Sequence, residues 1–184
     1  MTRPDTYLSC SEQISCLANC NRQVALEGVS ECVEHAIGVF AIRGVELPKG
    51  YLALFETTKR HALALRCLTG ENEAREALRR KREALSNQTE PYYQSATREL
   101  LLAISSLALV GLDAKTMGLA ASANNWVLAR ILRHVEDAVG LLSDKGVGKH
   151  NWQQEHLVSL TDSVLSPQSK AADGMRDRVS LLAR

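Results

Sequence analysis

Proline occurs at positions 4, 48, 91 and 167 of this 184-residue chain and nowhere else. A proline inside a helix removes a backbone donor and clashes with the turn before it, so long helices are confined to the stretches between such points. Within those stretches apolar residues recur at three, four and seven. Leu17, Val24, Ala25, Val29, Val33, Ile37 and Phe40 form one such stripe. No alternating β-branched run is long enough to make a strand. The expected fold class is therefore all-α, with about seven helices over residues 11–43, 50–68, 71–85, 91–110, 113–143, 152–165 and 169–183.

The chain also matches itself. Shifted by 102 residues, Val33-Glu34-His35-Ala36-Ile37-Gly38-Val39-Phe40 falls on Val135-Glu136-Asp137-Ala138-Val139-Gly140-Leu141-Leu142, and Arg43-Gly44-Val45 on Lys145-Gly146-Val147. Residues 16–45 give nine identities in thirty positions. Further on, Leu52, Phe55 and Thr58 match Leu157, Leu160 and Ser163, and Leu78-Arg79 and Leu85 match Met175-Arg176 and Leu182. Three matches in the same order point to an internal duplication. The expected organisation is a first helical unit at 1–90, a connecting core helix at 91–112 and a related second unit at 113–184, packed together as a bundle. Asp113 is the expected N-cap of the second long helix. Glycine inside a helix costs about 1 kcal/mol relative to alanine, so Gly38 and Gly140 are expected where another helix crosses closely. Gly44 and Gly146 follow the last apolar residues and suit left-handed C-caps.

Charge excludes some functions. Lys and Arg total 22 against 21 Asp and Glu, too even a balance to imply attraction to nucleic acid or an anionic membrane. Residues 1–5 are polar and include Pro4, unlike a secretory signal. The most apolar run, residues 100–112, is interrupted by Ser105 and Ser106 and reads as a buried core helix rather than a membrane span. Five cysteines, three of them among residues 10–20, fit reduced thiols and a cytoplasmic location better than a disulfide framework.

Candidate chemistry is sparse. Cys16 and Cys20 stand one helical turn apart, but zinc needs four ligands from converging elements. The repeat replaces Cys10, Cys16, Cys20 and Cys32 by Leu112, Gly118, Ser122 and His134, as packing residues would be. No metal site and no cofactor is expected. His35, His61, His134, His150 and His156 lack metalloprotease or zinc-finger spacing. There is no phosphate loop, nucleophile elbow, di-iron pair or EF-hand loop, so no catalytic residue is assigned. Arg75, Arg79, Arg80, Lys81 and Arg82 form a basic cluster, but Glu71, Glu73, Glu76 and Glu83 are interleaved with favourable four-residue spacings. With Arg176 and Arg178 they are the candidate nucleic-acid contacts under the second of two functional readings.

The connection Arg43-Gly44-Val45-Glu46-Leu47-Pro48-Lys49, after a long helix, resembles the one in helical nucleotidyltransferase-associated (HEPN) ribonuclease domains. That family places four to six residues between its active-site Arg and His. The nearest case here, Arg130 and His134, has three residues between. The resemblance therefore implies at most a degenerate fold without the chemistry.

The first reading is a non-enzymatic helical interaction module: an adaptor, an inhibitor or immunity protein, or a subunit of a larger assembly. Its partner would be another protein or a second copy of the chain, with no membrane. The alternative is a nucleic-acid-associated helical protein, HEPN-like or a small subunit of a nucleoprotein complex. An odd helix count leaves one unit with uncovered apolar surface. The expected anchors there are Trp152, beside His150, and the terminal Leu181 and Leu182.

Overall fold

The structure, a computed structural model, describes residues 9–62, 71–87, 92–116, 125–142 and 152–164. Those residues are all-helical, with seven α-helices and no strand among them. The helices are α1 (Cys10–Cys20), α2 (Arg22–Ile42), α3 (Lys49–Thr57), α4 (Glu71–Ser86), α5 (Tyr92–Thr116), α6 (Asn125–Leu142) and α7 (152–164). A π-helical turn, Thr58–Ala62, continues α3. The helix expected over 169–183 lies outside the described residues, as do parts of those expected over 50–68 and 113–143.

The first long helix expected from the periodicity is two helices. Asn21 adopts an extended backbone (φ −152°, ψ 99°), ends α1 and caps α2. Its N–H donates to the Leu17 carbonyl at 2.7 Å, and its side chain accepts from the Val24 N–H at 3.2 Å. Asparagine competes well for both jobs because its short side chain can replace a backbone acceptor. The apolar phase runs on from Leu17 to Val24 across this break, which is why spacing alone concealed it. At the start of α1, Ser9 and Glu12 form a reciprocal capping box, with the Ser9 N–H donating to Glu12 Oε2 at 2.7 Å.

Residues 100–112 of helix α5 are buried on every face. Ala96, Leu100, Ala103, Ile104, Leu107 and Val110 join the main core with α1, α2, α3, α6 and α7. Ala108, Leu109 and Leu112 face the other way and meet Leu78 of α4 and Leu54 of α3. The window Ser95–Leu112 is long and apolar enough to cross a membrane, but 78% of it is buried inside the molecule, as a core helix requires. It is longer than the run read from the sequence. Asp113 is accordingly no N-cap: α5 passes through Gly111 and Asp113 to Thr116. Contacts on both faces of Leu109–Leu112 offset the local cost of Gly111.

Gly44 has φ +70° and closes α2 in the left-handed conformation, as expected. Gly38 and Gly140 do not lie at crossings among the described residues, none of which comes within 4 Å of a Cβ placed on either. Helix α2 turns Val33, Ala36 and Phe40 inward, and α6 turns Val135 and Ala138 inward. Both glycines consequently fall on the solvent side. The crossing glycine is Gly28, where a Cβ would stand 2.6 Å from Leu160 Cδ1 and 3.8 Å from Leu157 Cδ2 of α7. Gly146 lies outside the described residues.

Candidate functional site

The most distinctive side-chain cluster forms where α7 crosses α2. The first described residue of α7, Trp152, stacks on His35 of α2 with ring centroids 4.0 Å apart and planes 12° from parallel. One turn further along α7, His156 stacks on the same indole at 4.8 Å and 7°. His156 Nε2 reaches Glu31 Oε2, one turn before His35, at 2.6 Å. Beneath the rings, Leu157 is fully buried, Leu160 packs against Gly28, and Gln153 donates to the Leu132 carbonyl of α6 at 3.3 Å. The i, i+4 spacing of Glu31 with His35, and of Trp152 with His156, brings each pair to one face of its helix. Partial burial and the nearby His156 both hold the His35 pKa below the usual histidine value.

Trp152, expected as a partner anchor, is thus half-buried against histidines and the core of its own chain. His150, Leu181 and Leu182 lie outside the described residues, as do Arg176 and Arg178. The exposed tryptophan is Trp126, in the first turn of α6, with 61% of its surface open. The buried stripe of α6 is Leu128, Ile131, Leu132, Val135 and Ala138. Trp126 instead shares the outer stripe of Arg133 and Asp137, seven and eleven residues on. That offset was readable from the sequence, because a large apolar side chain on a polar stripe has no core to join. Beside it, Asn125 Nδ2 donates to Asn19 Oδ1 at 2.9 Å, tying this end of α6 to the end of α1. Ile42, at the end of α2, is 86% exposed.

A second polar cluster lies between α5 and α6. His134 Nδ1 and Glu99 Oε2 are 2.5 Å apart, and Arg98 Nη2 donates to Glu99 Oε1 at 3.1 Å. Both members of the His134–Glu99 pair are largely buried. The carboxylate therefore orients the imidazole and links two core helices, a structural use of the histidine that stands nearest to an Arg–His motif in the sequence.

The basic cluster of α4 divides by face. Leu78 is buried and Arg75 and Arg82 are half-buried, while Arg79, Arg80 and Lys81 point outward. Arg80 Nε meets Glu76 at 3.1 Å, Arg75 donates to Asn72 at 3.1 Å, and the Lys81 ammonium lies 5.6 Å above the Tyr51 ring. The outer face also forms a shallow groove lined by Asn72, Glu73, Glu76, Ala77 and Arg80. Carboxylates and cations thus share this surface.

Among the described residues no three His, Cys, Asp or Glu side chains are gathered to hold a metal. Cys10, Cys16, Cys20 and Cys32 are free thiols. Burial, with the neighbouring Glu136, pushes the Cys10 thiol up to about 12, and burial does the same to Cys32. Neither is a nucleophile near neutral pH. Cys67 lies outside the described residues.

No family model matches the chain, and comparison with characterised proteins and with solved structures finds no significant relative.

Proposed function

We propose that this chain is a non-enzymatic helical module whose work is to bind another protein or a second copy of itself, with Trp126 as the anchor. The observation that carries the reading is a tryptophan 61% open to solvent in the first turn of a core helix. Tryptophan is enriched among interface hot spots because it buries a large area with few rotamers to order. The Asn125–Asn19 bond keeps that helix end in place, so little freedom would be lost on binding.

The duplication forms part of this proposal. Its support is agreement of burial under the same 102-residue shift. Val29, Ser30, Val33 and Ala36 are buried, as are Ile131, Leu132, Val135 and Ala138; Glu31, Glu34, His35 and Gly38 are exposed, as are Arg133, Glu136, Asp137 and Gly140. Two helices that use the same registers inward fit descent from one unit packed as a bundle.

Light scattering of the purified chain, with co-purification of the tagged chain from its native cells, tests the proposal. Self-association or a stoichiometric protein partner is expected, and Trp126→Ala should abolish it without changing the melting temperature. A monomer that retains no partner, or a partner indifferent to Trp126→Ala, would overturn it. The nucleic-acid alternative draws support from the outward Arg79, Arg80 and Lys81. It requires RNA or DNA binding that weakens steeply with salt and with loss of those side chains.

A further inference from the structure

The four described cysteines are of two kinds. Cys32 is fully buried and Cys10 packs against the main core, whereas Cys16 is half-buried and Cys20 is exposed. Packing accounts for the first two but not for the second pair. Cys16 and Cys20 stand four apart on α1, so their side chains lie one above the other, and the two thiols are hydrogen-bonded to each other. We propose that this pair is a dithiol site for a trivalent arsenical carrying one organic group, held through two arsenic–sulfur bonds.

Spacing selects the ligand. Side chains four apart on a helix have Cβ atoms about 5–6 Å apart, and a disulfide needs about 3.5–4.5 Å. The two thiols therefore do not close on each other while α1 is helical, but a single atom inserted between the sulfurs spans the gap. Zinc would need four ligands, and among the described residues no third His, Cys, Asp or Glu joins the pair. Arsenic(III) bearing one organic group has two valences left, which two thiols fill. With the oxide of such a compound the step balances. Two arsenic–sulfur bonds form, the arsenic–oxygen bonds break, and the oxygen leaves as water with both thiol protons. Arsenic stays trivalent, so no oxidant or reductant is consumed.

Exposure sets the order of attack. Cys20, open to solvent, takes the arsenic first. Partial burial and the neighbouring Cys20 hold the Cys16 thiol above its ordinary pKa, which slows its attack on a free ligand. Once arsenic is bound to Cys20, the second bond forms within one molecule, at an effective concentration that offsets this disadvantage. Neighbours hold the last turn of α1 in shape: the Asn21 N–H donates to the Leu17 carbonyl at 2.7 Å, and Asn19 accepts from Asn125 of α6 at 2.9 Å.

Titration of the intact, reduced chain with phenylarsine oxide tests this, read by intact-mass spectrometry and by counting the thiols left reactive. One arsenical per chain and the loss of two thiols are expected, in an adduct that resists excess mercaptoethanol and yields to ethanedithiol. Cys16→Ser and Cys20→Ser should each weaken binding by about 100-fold or more, because one thiol cannot chelate. Cys10→Ala, Cys32→Ala and Cys67→Ala should bind as the wild type does. Cys20 is exposed, so its serine variant retains the fold and keeps the test decisive. The helical signal in circular dichroism should not change on binding, since α1 already holds the pair. An adduct displaced by mercaptoethanol, undiminished binding in either serine variant, or a loss of helical signal on binding would overturn the site.

Discussion

Three glycines of α2 and α6 have opposite local situations, and substitutions at them should have opposite signs. Gly38 and Gly140 are helical and exposed, and among the described residues nothing lies within 4 Å of a Cβ placed on either. Alanine at either removes unfolded-chain entropy without a clash, and should stabilise the protein by roughly 0.5–1 kcal/mol in urea titration. Gly28 is buried, and a Cβ there would stand only 2.6 Å from the Leu160 side chain. Alanine there asks Leu160 to rotate away, while Gly28→Val must displace α7 and should cost about 1–3 kcal/mol. Stability unchanged by Gly28→Val would mean that α7 does not rest on α2. The same reasoning separates the thiols: burial makes Cys10 and Cys32 poor nucleophiles, whereas Cys20 is exposed near the end of α1.

At the scale of the element, caps rather than apolar spacing decide where helices begin. Helix α1 has only eleven residues, too few to be stable alone, and relies on its Ser9–Glu12 box and on packing against α6. The Cys10–Glu136 and Asn19–Asn125 contacts show that it runs antiparallel to α6. Ser9→Ala and Asn21→Ala should each cost about 0.5–2 kcal/mol and should fray α1 and the first turn of α2, read by amide exchange. Hydrogen bonds from Ser9 hold the Glu12 carboxyl below its ordinary value. A depressed carboxylate contributes to stability above its unfolded pKa and loses that contribution as pH falls through its folded pKa. The capping contribution of Glu12 should thus be present at neutral pH and disappear in acid. Identical exchange of α1 in the Ser9→Ala variant and wild type would contradict this account.

For the whole molecule, α5 divides the interior into two unequal parts. The main core gathers residues from α1, α2, α3, α5, α6 and α7, whereas the cluster behind it holds Leu78, Ala108, Leu109 and Leu112 with Leu54. Ile104→Ala removes buried carbons from the main core and should lower global stability by about 2–5 kcal/mol. Leu78→Ala should instead loosen α4 preferentially, exposing its amides to exchange while α5 and α6 stay protected. Equal losses of global stability from the two substitutions would show one cooperative core. The asymmetry also leaves α4 as the most polar helix surface, where Arg80 pairs with Glu76 and Lys81 with Tyr51. The anchor proposed at Trp126 lies on α6, which belongs to the main core.

The sequence by itself determined helical class, the approximate positions of most helices and the inward stripe of α2. These follow from a 3.6-residue period and from the places where proline and glycine interrupt it. It also determined the left-handed stop at Gly44, since that conformation suits a residue without a side chain. Only the tertiary structure decided what depends on neighbours remote in the chain. It kept α5 helical through Gly111 and Asp113, because burial on both faces outweighed a local breaker. It placed the close crossing at Gly28 instead of Gly38 or Gly140, because the path of α7 and not the glycine itself creates a crossing. It also turned Trp152 inward onto His35 and left Trp126 in solvent. Two tryptophans have the same intrinsic preference for burial, and which one receives it depends on which face of its helix meets another helix.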